Sequence, residues 1–317
     1  MSQAKQRVSV YAPASMGNVS VGFDLLGAAL APVDGEPLGD RVHVEASDGP
    51  LSLECVGPYA DLLPGNVADN IVLRCARHFL QQQGKPEQGL ALTLEKNLPI
   101  GSGLGSSASS VVAALAAVNA FFDSPLSPQE LLVMMGELEG QISGSVHYDN
   151  VAPSYLGGLQ LMQQDGARAL PGFNAWYWVV AYPGITLSTA KMRALLPTEL
   201  PLATALRFGQ QLASFVDACH RQDEAQALAV LKDVVAEPYR AAHIPGYQAA
   251  RDKLQALGCP AVGISGSGPT LFAVAGDKTQ AEAAARYLQQ HYVLNARGLV
   301  RICKLDPVGV QVERGAM

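Results

Sequence analysis

Apolar residues alternate with polar ones through much of the first hundred positions. RVSVY (7–11), RVHVEA (41–46), LSLECVG (51–57) and LALTLEK (90–96) each repeat with period two, the pattern of a half-buried strand. Between the last two, apolar positions from about Asn70 to Gln83 recur three and four apart, which predicts a helix. A second helix is predicted from Ser106 to Phe122. It is rich in Ala and Val, and its polar groups are confined to the first turns and Asn119, so it is expected to be buried on most sides. The stretch APASMGNVSVGFDLLG (12–27) shows neither period: it is rich in small residues and ends in an apolar patch.

SPLSPQELLVMMGELEGQI carries a helix start, with Ser127 as N-cap, Pro128 at the first position and Glu130 completing a capping box. The helix is expected over about 128–142. At 100° per residue Leu131, Leu132, Met135, Leu138 and Ile142 share one face, while Glu130 and Glu137 point away from it. Glu139 rides the apolar face. A carboxylate there must be paired, protonated or bound to a metal, and the pattern leaves a buried salt bridge and a functional group both open. A polar loop with His147, Asp149 and Asn150 follows, ahead of a strand.

MQQDGARALPGFNA (162–175) is polar and broken by Gly and Pro, and it is expected to connect two halves. Beyond it, WYWVVAYPG reads as a buried strand, helices are expected near 203–219 and 223–236, and GCPAVGISGSGPTLFAVAG sets a glycine–serine turn between two strands. The glycines at 263, 266 and 268 are expected to permit close backbone approach. A helix over 280–292 and the strand VRICKLD (300–306) complete an α+β pattern.

The strand LALTLEK and the Ala-rich helix flank PIGSGLGSSA (99–108). Gly101, Gly103 and Gly105 free the backbone for positive φ, and a strand-to-helix junction presents unpaired N–H groups and a helix dipole that favour an anion. The loop reads as a phosphate site. It lacks the Lys of a Walker loop, the third glycine of a dinucleotide fingerprint and the GxSxG of a nucleophile elbow. A plain helix-opening turn would need fewer glycines and serines than stand here.

Composition narrows the setting. The chain has 317 residues, enough for about two domains, with 49% hydrophobic and 16% charged residues, as in a globular soluble protein. A net charge of −6 with scattered basic residues argues against a nucleic-acid surface. Five cysteines (Cys55, Cys75, Cys219, Cys259, Cys303) without a CxxC pair indicate neither a disulfide framework nor zinc. MSQAKQRVSVYAP has no signal-peptide core and no run is long enough to span a membrane, so a cytoplasmic location is expected. Asp24, flanked by Phe23, Leu25 and Leu26, needs a partner, a helix cap or local backbone bonds. Lys191, Arg193 and Arg240 are isolated, and isolated basic residues are ordinarily solvated.

Three separated motifs, APASMGNVSVGFDLLG, LPIGSGLGSSAS and GISGSGPTLFA, together with GELEGQISGSVHYDNVAPSYLGG and AEPYR, resemble the GHMP family of small-molecule kinases over nearly the whole chain. The resemblance implies a two-domain α+β fold. A ribosomal protein S5 domain 2-like N-terminal domain (1–165), with a left-handed βαβ crossover, would be joined to a ferredoxin-like C-terminal domain (166–317). It implies ATP and Mg²⁺ as cofactors and, from the HYDN and EPYR segments, L-homoserine as the small molecule whose hydroxyl is phosphorylated, on the route to threonine. Carried over by position, Pro99, Ile100, Gly101, Ser102, Gly103, Leu104, Gly105, Ser106 and Ser107 would wrap the phosphates. Asn70 and Lys96 would meet the nucleoside, and Ser107 and Glu139 would hold the metal. Asn18, Asp24, His147, Asn150, Arg193 and Arg240 would bind the amino acid, with Asn150 standing where several relatives carry an aspartate base. Met16 and Gly17 depart from the usual Ser-Ala of the first motif. A homodimer is expected by analogy alone.

Overall fold

The structure is a computed structural model and describes residues 6–143, 146–164 and 166–316. In chain order its first half forms β1 (Gln6–Pro13), β2 (Ser15–Gly17), β3 (Leu26–Pro32), β4 (Gly39–Ala46), β5 (Ser52–Val56), α1 (Ile71–Gln82), β6 (Leu90–Glu95), α2 (Ser106–Phe121), α3 (Pro128–Ser143), α4 (Val151–Leu156), β7 (Leu159–Gln163) and β8 (Gly166–Leu170). The second half forms β9 (Tyr177–Tyr182), α5 (Thr189–Ala194), α6 (Leu202–Arg221), α7 (Glu224–Val230), α8 (Glu237–Arg240), α9 (Tyr247–Ala256), β10 (Ala261–Ile264), β11 (Leu271–Ala275), α10 (Lys278–His291), β12 (Leu299–Leu305) and β13 (Gln311–Ala316).

The alternating segments build a five-stranded sheet in the order β13-β1-β4-β6-β5. Its inward residues, among them Val8, Val10, Val42, Val44, Leu92 and Leu94, meet α1, α2 and α3 in the first core. Every residue of α2 except Ser107 is buried, so the Ala-rich helix is the centre of this half and Ser107 its one opening. The capping box closes as expected, with Glu130 N donating to Ser127 Oγ (3.3 Å) and Ser127 N to Glu130 Oε2 (2.8 Å). Leu131, Leu132, Met135 and Leu138 are buried with Glu139, and Glu137 is exposed; the side chain of Ile142 lies outside the described residues.

The larger sheet runs β10-β11-β9-β12-β3-β7-β8, with β2 paired to β3. β9 is apolar throughout because it has a core on each face. Trp178, Val180 and Tyr182 face one cluster with α6 and α7, and Val179 and Ala181 face another with α9 and α10. The β9–α–β10–β11–α10–β12 order, with β9 and β12 adjacent, is ferredoxin-like.

Three expectations are corrected. The segment 162–175 contributes to a β-hairpin, β7–β8, of the large sheet, and is therefore no free linker. Asn150 leads into the short helix α4 before the strand arrives. The helix expected over 223–236 ends at Val230, because Asp233 Oδ1 accepts from Val235 N (2.7 Å) and Ala236 N (2.8 Å) and turns the chain toward α8.

Candidate functional site

The glycine loop joins β6 to α2, and Gly101, Gly103 and Gly105 take φ of 62°, 85° and 63°. Its carbonyls from Ile100 to Leu104 are each engaged by a residue outside the loop. Ile100 O accepts from Thr186 Oγ1 (3.2 Å), Gly101 O from Leu187 N (3.1 Å), Ser102 O from Thr270 N (2.9 Å), Gly103 O from Ser265 Oγ (2.6 Å) and Leu104 O from Ser15 N (3.2 Å). Among the described residues the amides of Gly101, Ser102, Gly103 and Gly105 have no protein acceptor, and these residues line a cavity of about 590 Å³. Carbonyls tied outward and amides left over are the electrostatics of an anion site. The second glycine turn provides two of these bonds, from Thr270 and Ser265. A Cβ on Gly103 would stand 2.4 Å from Ser265 O, and Gly266 N also donates to Gly17 O (3.1 Å).

Ser107, the open residue of α2, donates to Glu139 Oε1 at 2.6 Å. Glu139 is 6% exposed. Burial pushes its carboxyl up to about 7, against the Ser107 hydrogen bond and the His147 and Lys96 charges that pull it down and alongside Asp149, which raises it. A buried carboxylate beside a hydroxyl is a two-oxygen donor set that suits Mg²⁺, which takes its remaining ligands from phosphate and water. No group of three or more His, Cys, Asp or Glu among the described residues forms a metal cage of its own.

The charged part of the wall begins with an unusual turn. Asn18, Val19 and Ser20 take φ of 69°, 45° and 53°, and Gly22 N donates to Asn18 O (2.9 Å). A left-handed turn costs roughly 1–2 kcal/mol per non-glycine residue. The fully buried Val19 and the Asn18 side chain, which accepts from Asp24 N (2.9 Å) and donates to Gly266 O (3.1 Å), hold it in place. Asp24 finds its partner across the cavity in Arg193, through two parallel hydrogen bonds. Arg240, 3% exposed, donates to Met192 O (3.3 Å) and Gly266 O (3.1 Å), and both guanidinium groups lie against the Phe23 ring. His147 Nδ1 meets Asp149 Oδ1 at 3.0 Å. Burial alone would lower the His147 pKa, but Asp149 and Asp24 carry it above its ordinary value. Gly17 has a local reason: a Cβ there would lie 2.3 Å from Asp149 Oδ2.

The cavity thus gathers Asn18, Asp24, Asn70, Ser106, Ser107 and Glu139 with His147, Asn150, Arg193, Arg240 and most of the loop. Pro99 and Leu104 do not line it, and Leu104 is an anchor in the second core. Lys96 lines it, yet its ammonium is bonded to Asp40, Ser106 O (3.0 Å) and Ser110 Oγ (3.1 Å). Asn70 Oδ1 caps α1 at Val72 N (2.9 Å). Sequence reasoning missed several contributors. Asp149 is buried in the wall; its place between His147 and Asn150 was the available signal. Arg74, one turn into α1, and the apolar Leu62, Leu63 and Pro64 carried no pattern that set them apart.

The site therefore combines an anion-binding loop, closed by a glycine turn from the opposite half, with a buried carboxylate and the Asp24–Arg193 ion pair. Residues 70–158 match the N-terminal domain of the GHMP kinases and residues 215–294 their C-terminal domain, together just over half of the chain. The chain belongs to the GHMP kinase family, whose members are ATP-dependent small-molecule kinases. It is similar to the homoserine kinase of Cytophaga hutchinsonii, with 29% identity, 97% of each chain covered and a TM-score of 0.88. Mevalonate kinases share the fold: that of Methanococcus jannaschii at 13% identity, 94% of this chain, 98% of that chain and TM-score 0.70, and that of L. major in complex with R-mevalonate at 17%, 96% of each and 0.65. No helix among the described residues is long and apolar enough to cross a membrane.

Proposed function

We propose that this protein transfers the γ-phosphoryl group of ATP to the side-chain hydroxyl of L-homoserine, forming O-phospho-L-homoserine. The observation that carries the reading is the Asp24–Arg193 pair with Arg240 beside it. In the free enzyme the carboxylate and guanidinium satisfy one another. A zwitterion takes over both halves, its ammonium on Asp24 and its carboxylate on Arg193 and Arg240 through planar, charge-assisted bonds. Mevalonate and sugars have no ammonium to offer Asp24. The similarity to the Cytophaga hutchinsonii homoserine kinase supports the same substrate.

In this reading the loop amides hold the polyphosphate and the apolar Leu62, Leu63 and Pro64 flank the base, with Asn70 nearby. Ser107 and Glu139 hold Mg²⁺, which when bound neutralises charge on the phosphoryl oxygens. Asn150, whose Oδ1 accepts from Ser15 Oγ (3.1 Å), orients the acceptor hydroxyl; an amide does not take its proton at neutral pH. The rate then comes from alignment and charge stabilisation, which a loose phosphoryl transition state chiefly requires.

The test compares kcat/KM for homoserine and for 4-hydroxybutyrate, which lacks the ammonium, in the wild-type enzyme and in Asp24→Asn. A hydrogen bond to a charged group is worth about 1.5–3 kcal/mol, so the wild type is expected to prefer homoserine by roughly ten- to a hundredfold. Asp24→Asn should erase most of that preference and leave ATP use near normal. Equal use of both compounds by the wild type would exclude this reading of the pocket.

A further inference from the structure

Asp40, at the start of β4, is fully buried and lies outside every group assigned above. Its carboxylate accepts four hydrogen bonds. Oδ1 takes Asn97 N (2.9 Å) and Leu98 N (3.0 Å), the last two amides before Pro99 and the glycine loop. Oδ2 takes Ser110 Oγ (2.6 Å), one turn into α2, and the Lys96 ammonium. Lys96 in turn donates to Ser106 O (3.0 Å), and Ser106 Oγ to Leu98 O (3.1 Å). Both ends of the loop therefore meet at one carboxylate. Its own amide is fixed by Ser109 Oγ (2.9 Å), which donates to Ala12 O (2.8 Å) on β1.

A buried ion pair contributes little net stability over a well-packed apolar pair. What a carboxylate does here, and an apolar side chain cannot, is accept two successive backbone amides and a hydroxyl at once. An anion site made of loop amides works only while those amides converge. A lone carboxylate under that site would repel the anion, and the Lys96 ammonium cancels its charge. We propose that Asp40, with Lys96 as its counter-charge, is the positioning residue that holds the stem of the phosphate loop in its binding shape. Lys96 then serves the nucleotide through the loop. This inference rests on the reading of the cavity as an ATP site.

The test is Asp40→Asn, with Ser110→Ala as the milder variant. In either orientation an amide sets a donor against donors, the Lys96 ammonium on one side or the two backbone amides on the other. At a temperature where circular dichroism shows both proteins folded, Asp40→Asn should weaken calorimetric ATP binding at least about tenfold, as expected for loss of bonds to a charged group. The KM for homoserine at saturating ATP should stay within about twofold. Amide hydrogen exchange should rise in the peptide spanning 96–107 and stay unchanged in α3 and β9. Should Asp40→Asn not accumulate as folded protein, Ser110→Ala, which removes one of the four bonds, should show the same localised exchange with a loss of about threefold in ATP affinity. ATP binding within about twofold of wild type in folded Asp40→Asn, exchange spread evenly through the first half, or no change in either property in Ser110→Ala would each overturn the proposal. If the wild type itself does not bind ATP, the assigned function fails, and the exchange measurement still decides whether Asp40 holds the loop.

Discussion

Glu139 shows how far one position can be read. Its place on an apolar helix face required a partner, and the structure supplies Ser107 at 2.6 Å. The periodicity of α3 could not name that partner, because Ser107 comes from another helix. Burial carries the Glu139 pKa from 4.5 to about 7. The folded state therefore holds a proton to higher pH than the unfolded chain. Unfolding releases it between about pH 4.5 and 7, and stability falls as pH rises through that window. At 1.36 kcal/mol per unit the effect amounts to about 3 kcal/mol in the metal-free protein. Glu139→Gln removes this titration. Its Tm relative to wild type should climb from pH 5 to pH 8 in a chelator-treated sample, and parallel profiles would show that the carboxyl is not buried in this way. Its turnover should fall about a hundredfold or more, as when other groups that stabilise transition-state charge are lost.

At the scale of elements, strands and helices with a strict period were legible, and so was the loop between β6 and α2. Local chemistry was enough there: alternation, a capping box, glycines at a strand-to-helix junction. The left-handed turn at 18–20 was not legible, because Val19 has no local reason to take φ of 45° and is held there by its burial and by the Asn18 side-chain bonds to Asp24 and Gly266. Helix α4 and the early end of α7 were missed for a related reason, since Asp233 looked like a helix residue until its backbone bonds were seen. Two glycines separate necessity from tolerance. Gly103 has φ of 85° and would bring a Cβ within 2.4 Å of Ser265 O, so Gly103→Ala should weaken ATP binding by tenfold or more, from roughly 1–3 kcal/mol of strain. Gly209 sits within α6 with nothing near its missing Cβ, and Gly209→Ala should stabilise by about 0.5–1 kcal/mol in denaturant unfolding. The reverse ranking in those two measurements would mean that the loop is not built on positive φ.

For the whole molecule the question is whether the halves expected at 1–165 and 166–317 are folding units. The strand partners say otherwise. β3, from the first half, pairs with β12, from the second, through Pro32–Cys303, Ala31–Lys304 and Leu30–Leu305, and with β7 through its first three residues. β13, at the far end of the chain, is the edge of the first sheet through six residue pairs with β1. The second core likewise draws Met16, Val21 and Leu26 from the N-terminal segment onto Trp178, Val180 and Phe272. A fragment ending at 165 would lose β12 and β13, and one starting at 166 would keep β12 on β9 but leave its β3-facing edge open and strip the second core of its N-terminal side. Neither is expected to fold alone. The intact chain is expected to unfold in one transition, with the fluorescence of Trp176 and Trp178, both in the second core, tracking far-UV circular dichroism. Two separated transitions, or a 166–317 fragment with cooperative unfolding of its own, would show that the shared sheet is a contact between independent domains. In the coupled molecule the glycine loop of one half and the Ser265–Thr270 turn of the other are held in register by the same strands that make the cores, so the site forms only when both halves have folded.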